Sequence, residues 1–128
     1  LIYVDASVTL AEVFAEDRRP QDGFWDLPLV ASRLTDLEMR ARAAALGRLQ
    51  EKAAVLDEIS NAITFADVER KNLEFLYAGQ TGALRTLDAI HLATLEFFNR
   101  ELGETVLATY DHRLATAAHA LGFAVMVP

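Results

Sequence analysis

Five short apolar runs separated by longer helix-favouring stretches constrain this chain more than any other feature. The runs are Leu1–Val4, Leu29–Ser32, Ala62–Phe65, Thr105–Thr109 and Ala124–Val127. Apolar runs of this length, bounded by polar and turn residues, read as strands. Between them, Ala6–Ala15 places Val8, Leu10, Ala11 and Phe14 at helical spacing. Asp36–Glu58 is rich in Ala, Leu, Glu and Arg and reads as one long helix. Ala66–Tyr77 sets Val68, Leu73 and Leu76 among charges, and Leu87–Arg100 follows it as a further helix. Asp111–Leu121 closes at Gly122, a residue suited to ending a helix. Strands alternating with helices predict an α/β fold whose parallel sheet is covered on both faces. The length of 128 residues suits a single domain, residues 1–128, with one substantial core.

Two loops interrupt this pattern. Glu16–Pro28 is the clearest, with Trp25 expected to pack beneath it rather than to stack on a nucleic-acid base. Ala78–Arg85 carries two glycines immediately before the helix that holds Asp88. There is no repeat, low-complexity tract or Pro/Gly/Ser linker.

Composition narrows the class. A hydrophobic fraction of 52% fits a packed protein and not a disordered tail. No apolar run approaches the ~20 residues of a membrane span. The opening residues LIYVDASVTLAEVF carry Asp5 and Glu12 and no basic stretch, so they do not read as a secretory signal. Leu1 in place of Met suggests a trimmed or unusual start. Without Cys, disulfides and thiolate metal sites are excluded, and a reducing cytoplasm is compatible. Nineteen acids against twelve bases give a net charge of −7, which argues against a large phosphate-tracking surface. It argues less against an enzyme that meets phosphate through a metal, whose ligands are themselves acids.

In open α/β sheets, ligands bind beyond the carboxyl ends of the strands, where the strand order reverses. Four acids are predicted on that rim. Asp5 follows LIYV, Asp111 follows VLATY, Glu38 lies in the first turn after LVAS, and Asp88 opens the helix near Thr86. Each has an ordinary structural explanation. Asp5 and Asp111 suit helix N-caps, Thr35–Glu38 (TDLE) matches a capping box, and Glu38 with Arg42 suits a surface pair. Asp88 suits the positive end of a helix dipole. Together, however, four carboxylates on one rim would repel one another unless a cation sits among them. Oxygen ligands on a rigid rim suit Mg²⁺ or Mn²⁺. A hydrated cation there suits phosphodiester hydrolysis. In TLDAIHLATL, Asp88 falls among apolar residues of a predicted buried face, and charge compensation by such a cation would account for it.

These segments are similar to a known family. YVDAS, TDLEMRA, LRTLDAIHLAT and LATYDHRLATAAHALGFAV, in that order, resemble the PIN domain, and more narrowly the VapC-type toxins of toxin–antitoxin pairs. The resemblance covers essentially the whole chain. It implies a three-layer α/β/α sandwich and a Mg²⁺- or Mn²⁺-dependent endoribonuclease acting on cellular RNA in the cytoplasm. It also implies a homodimer held inactive by a VapB-type antitoxin whose C-terminal segment crosses the active-site groove. By motif, Asp5, Glu38, Asp88 and Asp111 take the four acidic positions. Asp5 and Asp88 are then the direct metal ligands, Glu38 binds metal or orients the attacking water, and Asp111 acts directly or through water. Ser7 and Thr109 match small hydroxyl positions that brace the site.

Other residues weigh less. His91, one turn after Asp88, reads as a buried, hydrogen-bonded scaffold residue, and His112 and His119 as solvent-facing. Arg33, Arg40, Arg42 and Arg85 flank the acids and are RNA-binding candidates, with solvated helix-face charges as the alternative. Phe97, Phe98 and Leu102 form an apolar patch suited to the core or, in part, to a dimer contact. Two other functions are compatible with a small α/β domain. One is a catalytically silent binding module of the same fold. The other is a phosphate-accepting receiver, which would need a second acid beside Asp5 and a Lys after a late strand; Ala6 and the helical positions of Lys52 and Lys71 disfavour it.

Overall fold

The computed structural model describes residues 1–128. Its strands are β1 (Ile2–Val4), β2 (Leu29–Ser32), β3 (Ile63–Ala66), β4 (Val106–Ala108) and β5 (Val125–Met126). They form one sheet in the order β3-β2-β1-β4-β5, and every neighbouring pair is parallel. The helices are α1 (Ala6–Val13), α2 (Arg33–Ala45), α3 (Ala53–Ala62), α4 (Glu74–Tyr77), α5 (Thr86–Glu101) and α6 (His112–Ala120).

Alternation along each strand divides the core in two. Val4, Leu29, Ala31 and Ala108 face one side, packing with Val8 of α1, Met39 and Ala43 of α2, and Leu56 and Ile59 of α3. Tyr3, Val30 and Leu107 face the other, against Leu92, Leu95 and Phe98 of α5 and Leu114 and Ala118 of α6. Each fully buried Leu or Val contributes about 1.5–3 kcal/mol of transfer free energy, so both faces of this short-stranded sheet are anchored. The result is a three-layer α/β/α sandwich with a parallel central sheet. A receiver-type sheet runs 2-1-3-4-5, whereas here β1 lies between β2 and β4. No helix is long and apolar enough to cross a membrane.

All five strands lie within one or two residues of the sequence expectation, but two helical segments differ from it. Asp36–Glu58 is not one helix. Gly47 takes a left-handed φ of +67°, its N–H donates to the Ala44 carbonyl, and Arg48 N–H reaches the Ala43 carbonyl. This paired closure ends α2, and α3 starts afresh at Ala53. Ala66–Tyr77 is not a continuous helix either. Ala66 finishes β3, a 3₁₀ turn spans Arg70–Asn72, and only Glu74–Tyr77 is α-helical. The buried Asn72 side chain donates to the Asp67 carbonyl at 2.8 Å, bonding the backbone locally where a helix would have started.

The capping box at Thr35–Glu38 is absent as well. Ser32 caps α2, its Oγ accepting Leu34 N–H at 3.1 Å. Thr35 is buried inside the helix, and its hydroxyl donates to the Val4 carbonyl at 3.2 Å, fastening α2 to the end of β1. Glu38 therefore sits in the second turn of α2, not the first.

Candidate active site

The chain runs outward from β1 through β2 to β3, crosses back through α5, and continues to β4 and β5 on the far side. The reversal falls between β1 and β4, so the crevice beyond their carboxyl ends is where a ligand is expected. Asp5 is the first residue after β1. Its backbone carbonyl starts α1, but its side chain makes no capping bond and instead accepts the Ser7 hydroxyl at 2.7 Å. The same Ser7 Oγ accepts Tyr110 N–H at 2.9 Å and lies 3.3 Å from Thr109 Oγ1, which in turn accepts Asp111 N–H at 2.9 Å. Two hydroxyls thus lace the end of β1 to the end of β4.

Asp5 is only 5% exposed. Burial raises its carboxyl pKa from 3.8 to about 6, against the lowering pull of Ser7, His91 and Thr109, and Asp111 pushes it further up. Asp5 is in no ion pair within the chain, so its burial disfavours the ionised form.

Glu38, Asp88 and Asp111 line one cavity of about 510 Å³, together with Arg85, His112 and Arg113. Asp88 is in the first turn of α5, half-buried rather than buried as the sequence suggested, and its carboxylate has no hydrogen bond or ion pair within the chain. Asp111 caps α6 through Oδ1, which accepts the N–H groups of Arg113 (2.9 Å) and Leu114 (3.3 Å). Glu38 Oε1 lies 2.6 Å from His91 Nε2, and His91 Nδ1 is 2.8 Å from the Tyr3 hydroxyl. His91 is buried and hydrogen-bonded, as the sequence suggested.

The four candidate arginines part company. Arg40 is committed to Asp36 (Nε to Oδ1, 3.0 Å), Asp57 (3.0 Å) and the Ser60 hydroxyl (2.9 Å), which occupies its Nε and Nη2 within the chain. Arg33 lies over the Phe65 ring at 4.5 Å, between Asp36 and Asp67. Arg42 is exposed on α2 and lies outside the cavity wall. Only Arg85 shares the wall with the acids. Sequence reasoning missed Arg113 and the placement of His112 there. The signal was their position: both follow Asp111 directly, and the first turn of a helix that Asp111 caps must share its rim. Trp25 packs edge-on against Phe24, within the core side of its loop.

No three Asp, Glu or His side chains form a ready-made coordination cage. An all-oxygen donor set spread around a cavity still fits a hard cation such as Mg²⁺, which takes one or two carboxylates directly and keeps several waters. Asp5 is not part of that cavity's lining, but its buried carboxylate, in no ion pair within the chain, is the structural observation that favours such a cation.

Known proteins resemble this chain in sequence. Ribonuclease VapC46 of Mycobacterium tuberculosis is 35% identical over 96 residues, which cover 67% of this chain and 72% of that protein. The chain belongs to the VapC family. Ribonuclease VapC35 of the same organism aligns with this VapC chain end to end, at 29% identity over 100% of this chain and 97% of its own. Ribonuclease VapC47 is 49% identical over a shorter stretch of 45 residues, 35% of this chain. No protein-family profile matches the chain.

Proposed function

We propose that this VapC chain is a Mg²⁺- or Mn²⁺-dependent endoribonuclease, the toxin of a type II toxin–antitoxin pair acting in the cytoplasm. The observation that supports the reading is a buried Asp5, in no ion pair, at the end of β1, together with Glu38, Asp88 and Asp111 on the wall of one cavity. Asp5 and Asp88 would hold the cation, with Glu38 and Asp111 completing its surroundings directly or through water. When bound, the cation supplies Lewis acidity, acidifying a water and offsetting charge on a phosphodiester oxygen.

The chain's own residues do the rest. Ser7 and Thr109 orient Asp5 by hydrogen bonding at the strand ends. Glu38, on the cavity wall, would orient an attacking water or accept its proton. Arg85 and Arg113 face the same cavity and suit phosphates on either side of the scissile bond. A VapB-type antitoxin would cover this groove, and a cationic side chain placed among the acids would answer the charge that Asp5 leaves open. We further propose that the toxin acts as a homodimer.

The test is RNA cleavage by purified protein with Mg²⁺, with Mn²⁺ and with EDTA. Cleavage should require the cation, and Asp5→Ala or Asp88→Ala should abolish it while circular dichroism stays native. Undiminished cleavage in EDTA would refute the mechanism.

A further inference from the structure

His91 lies on the buried face of α5, 4% exposed, and both of its ring nitrogens are engaged. The directions of these bonds follow from chemistry. An ionised carboxylate only accepts, so the nitrogen facing Glu38 Oε1 at 2.6 Å, Nε2, carries the hydrogen. In a neutral ring the other nitrogen is then an acceptor, and the Tyr3 hydroxyl at 2.8 Å is its donor. Tyr3 is fully buried on β1, and its oxygen accepts the Ser32 N–H at 3.2 Å from the end of β2. A hydrogen-bonded relay results, from the Ser32 backbone through Tyr3 and His91 to Glu38, rooted in two adjacent strands of the sheet; it runs one way when the ring is neutral.

We infer that His91 is a positioning residue that fixes the rotamer of Glu38, holding Oε1 and presenting Oε2 to the cavity. This rests on the proposed nuclease function, since it specifies how one of that site's carboxylates is aimed. Glu38 sits in the second turn of α2, on a side chain with three rotatable bonds, and no other hydrogen bond from the chain restrains it. Without the relay, its carboxylate would sample several rotamers, and only one would face the cation and the water. Groups that orient a ligating side chain in this way commonly change metal affinity or activity by about 10–100-fold when removed.

The first test uses metal-free ¹⁵N-labelled protein. A long-range ¹H–¹⁵N spectrum of the imidazole should show the Nε2–H tautomer for His91, and Tyr3→Phe should weaken that preference. An Nδ1–H tautomer would overturn the relay. The second test compares His91→Leu with His91→Gln by Mn²⁺ titration calorimetry and by cleavage kinetics. The leucine variant should lose about 10–100-fold in Mn²⁺ affinity or in kcat. Glutamine, which keeps an N–H donor, should recover part of that loss. Wild-type affinity and rate in His91→Leu would overturn the proposal. If the leucine variant does not fold, Tyr3→Phe carries the same comparison, with a smaller loss in the same direction. A wild-type protein that shows the Nε2–H tautomer yet neither binds Mn²⁺ nor cleaves RNA would overturn the nuclease reading while leaving the relay established.

Discussion

Helix α2 carries two acids, two residues apart, in opposite circumstances. Asp36 accepts Arg40 Nε at 3.0 Å and the Ser60 hydroxyl at 2.7 Å, and Arg40 goes on to Asp57. This cluster is answered within the chain. Glu38 points elsewhere, to a cavity whose other acids, Asp88 and Asp111, have no ion-pair partner, beside an Asp5 whose burial pushes its pKa to about 6. This cluster is left open. The contrast identifies function better than acid content does, because surface carboxylates are common and most are solvated or paired. A protein that leaves several of them unpaired around the crevice of its sheet carries a repulsion that a ligand can relieve.

The sharpest way to break this comparison is to neutralise the buried acid of the open cluster. Asp5→Asn should reduce metal-dependent cleavage by more than the roughly 100-fold seen for groups that only orient ligands. The same change should stabilise the metal-free protein at pH 7. The carboxyl pKa rises from 3.8 to about 6 on folding, so folding favours the protonated form. That contribution is fully present below about pH 4 and is lost as pH rises through 6. The implied penalty at pH 7 is on the order of 2–3 kcal/mol. Denaturant melts should therefore show wild type losing stability between pH 4 and 6 relative to Asp5→Asn. Parallel curves would show that Asp5 is compensated after all.

A cation should then reverse the penalty. Anything that binds only the folded state stabilises it by mass action, by about 2.7 kcal/mol at a hundred times its dissociation constant. Saturating Mg²⁺ or Mn²⁺ should raise the Tm of wild type at pH 7 and leave the Tm of Asp5→Asn much less changed. Equal shifts in the two proteins would place the cation elsewhere.

How much of this was legible in the sequence depends on the range of the interaction. The strands were readable because apolar runs as short as LIYV and LVAS, bounded by polar and turn residues, suit strands buried on both faces. The acidic rim was readable because Asp5 directly follows β1 and Asp111 comes three residues after β4, and a parallel sheet brings all its strand ends to one side. What Asp5 and Asp111 do there was not readable: both suit an N-cap, yet only Asp111 spends its side chain on capping. The relay from Tyr3 to Glu38 joins residues on three separate elements, and no local pattern announces it. Arg40 looked equivalent to Arg85 because the Asp57 and Ser60 that occupy it come from α3, beyond a break that the strong helix propensity of Asp36–Glu58 concealed.

Arg40 gives the converse of the Asp5 experiment. Arg40→Ala leaves Asp36 largely buried without its guanidinium and should cost about 1–2 kcal/mol, discounted for the partial exposure of the pair. Cleavage by the folded fraction should stay near wild type, because this guanidinium is already occupied. Arg113→Ala should do the opposite, with little change in stability and a salt dependence of RNA binding shallower by about one unit of slope. If Arg40→Ala impaired RNA binding and Arg113→Ala did not, the division between answered and open charges would be wrong.

The smallest effect tests whether the two clusters are mechanically linked through the helix they share. Gly47 closes α2 at φ +67°, and a Cβ there would meet no atom within 4 Å. Gly47→Ala thus adds no clash, only the cost of holding an L-residue in the left-handed region, about 1–2 kcal/mol. Asp36, Glu38 and Arg40 all lie at least one full turn before that end, and Thr35 fastens the start of the helix to β1. Fraying at the far end should therefore lower stability while leaving cleavage per folded molecule and Mn²⁺ affinity unchanged. A drop in Mn²⁺ affinity matching the loss of stability would mean that Glu38 is held by the integrity of the whole helix. In that case the tether through His91 would be secondary, and the open cluster would depend on the same scaffold that stabilises the answered one.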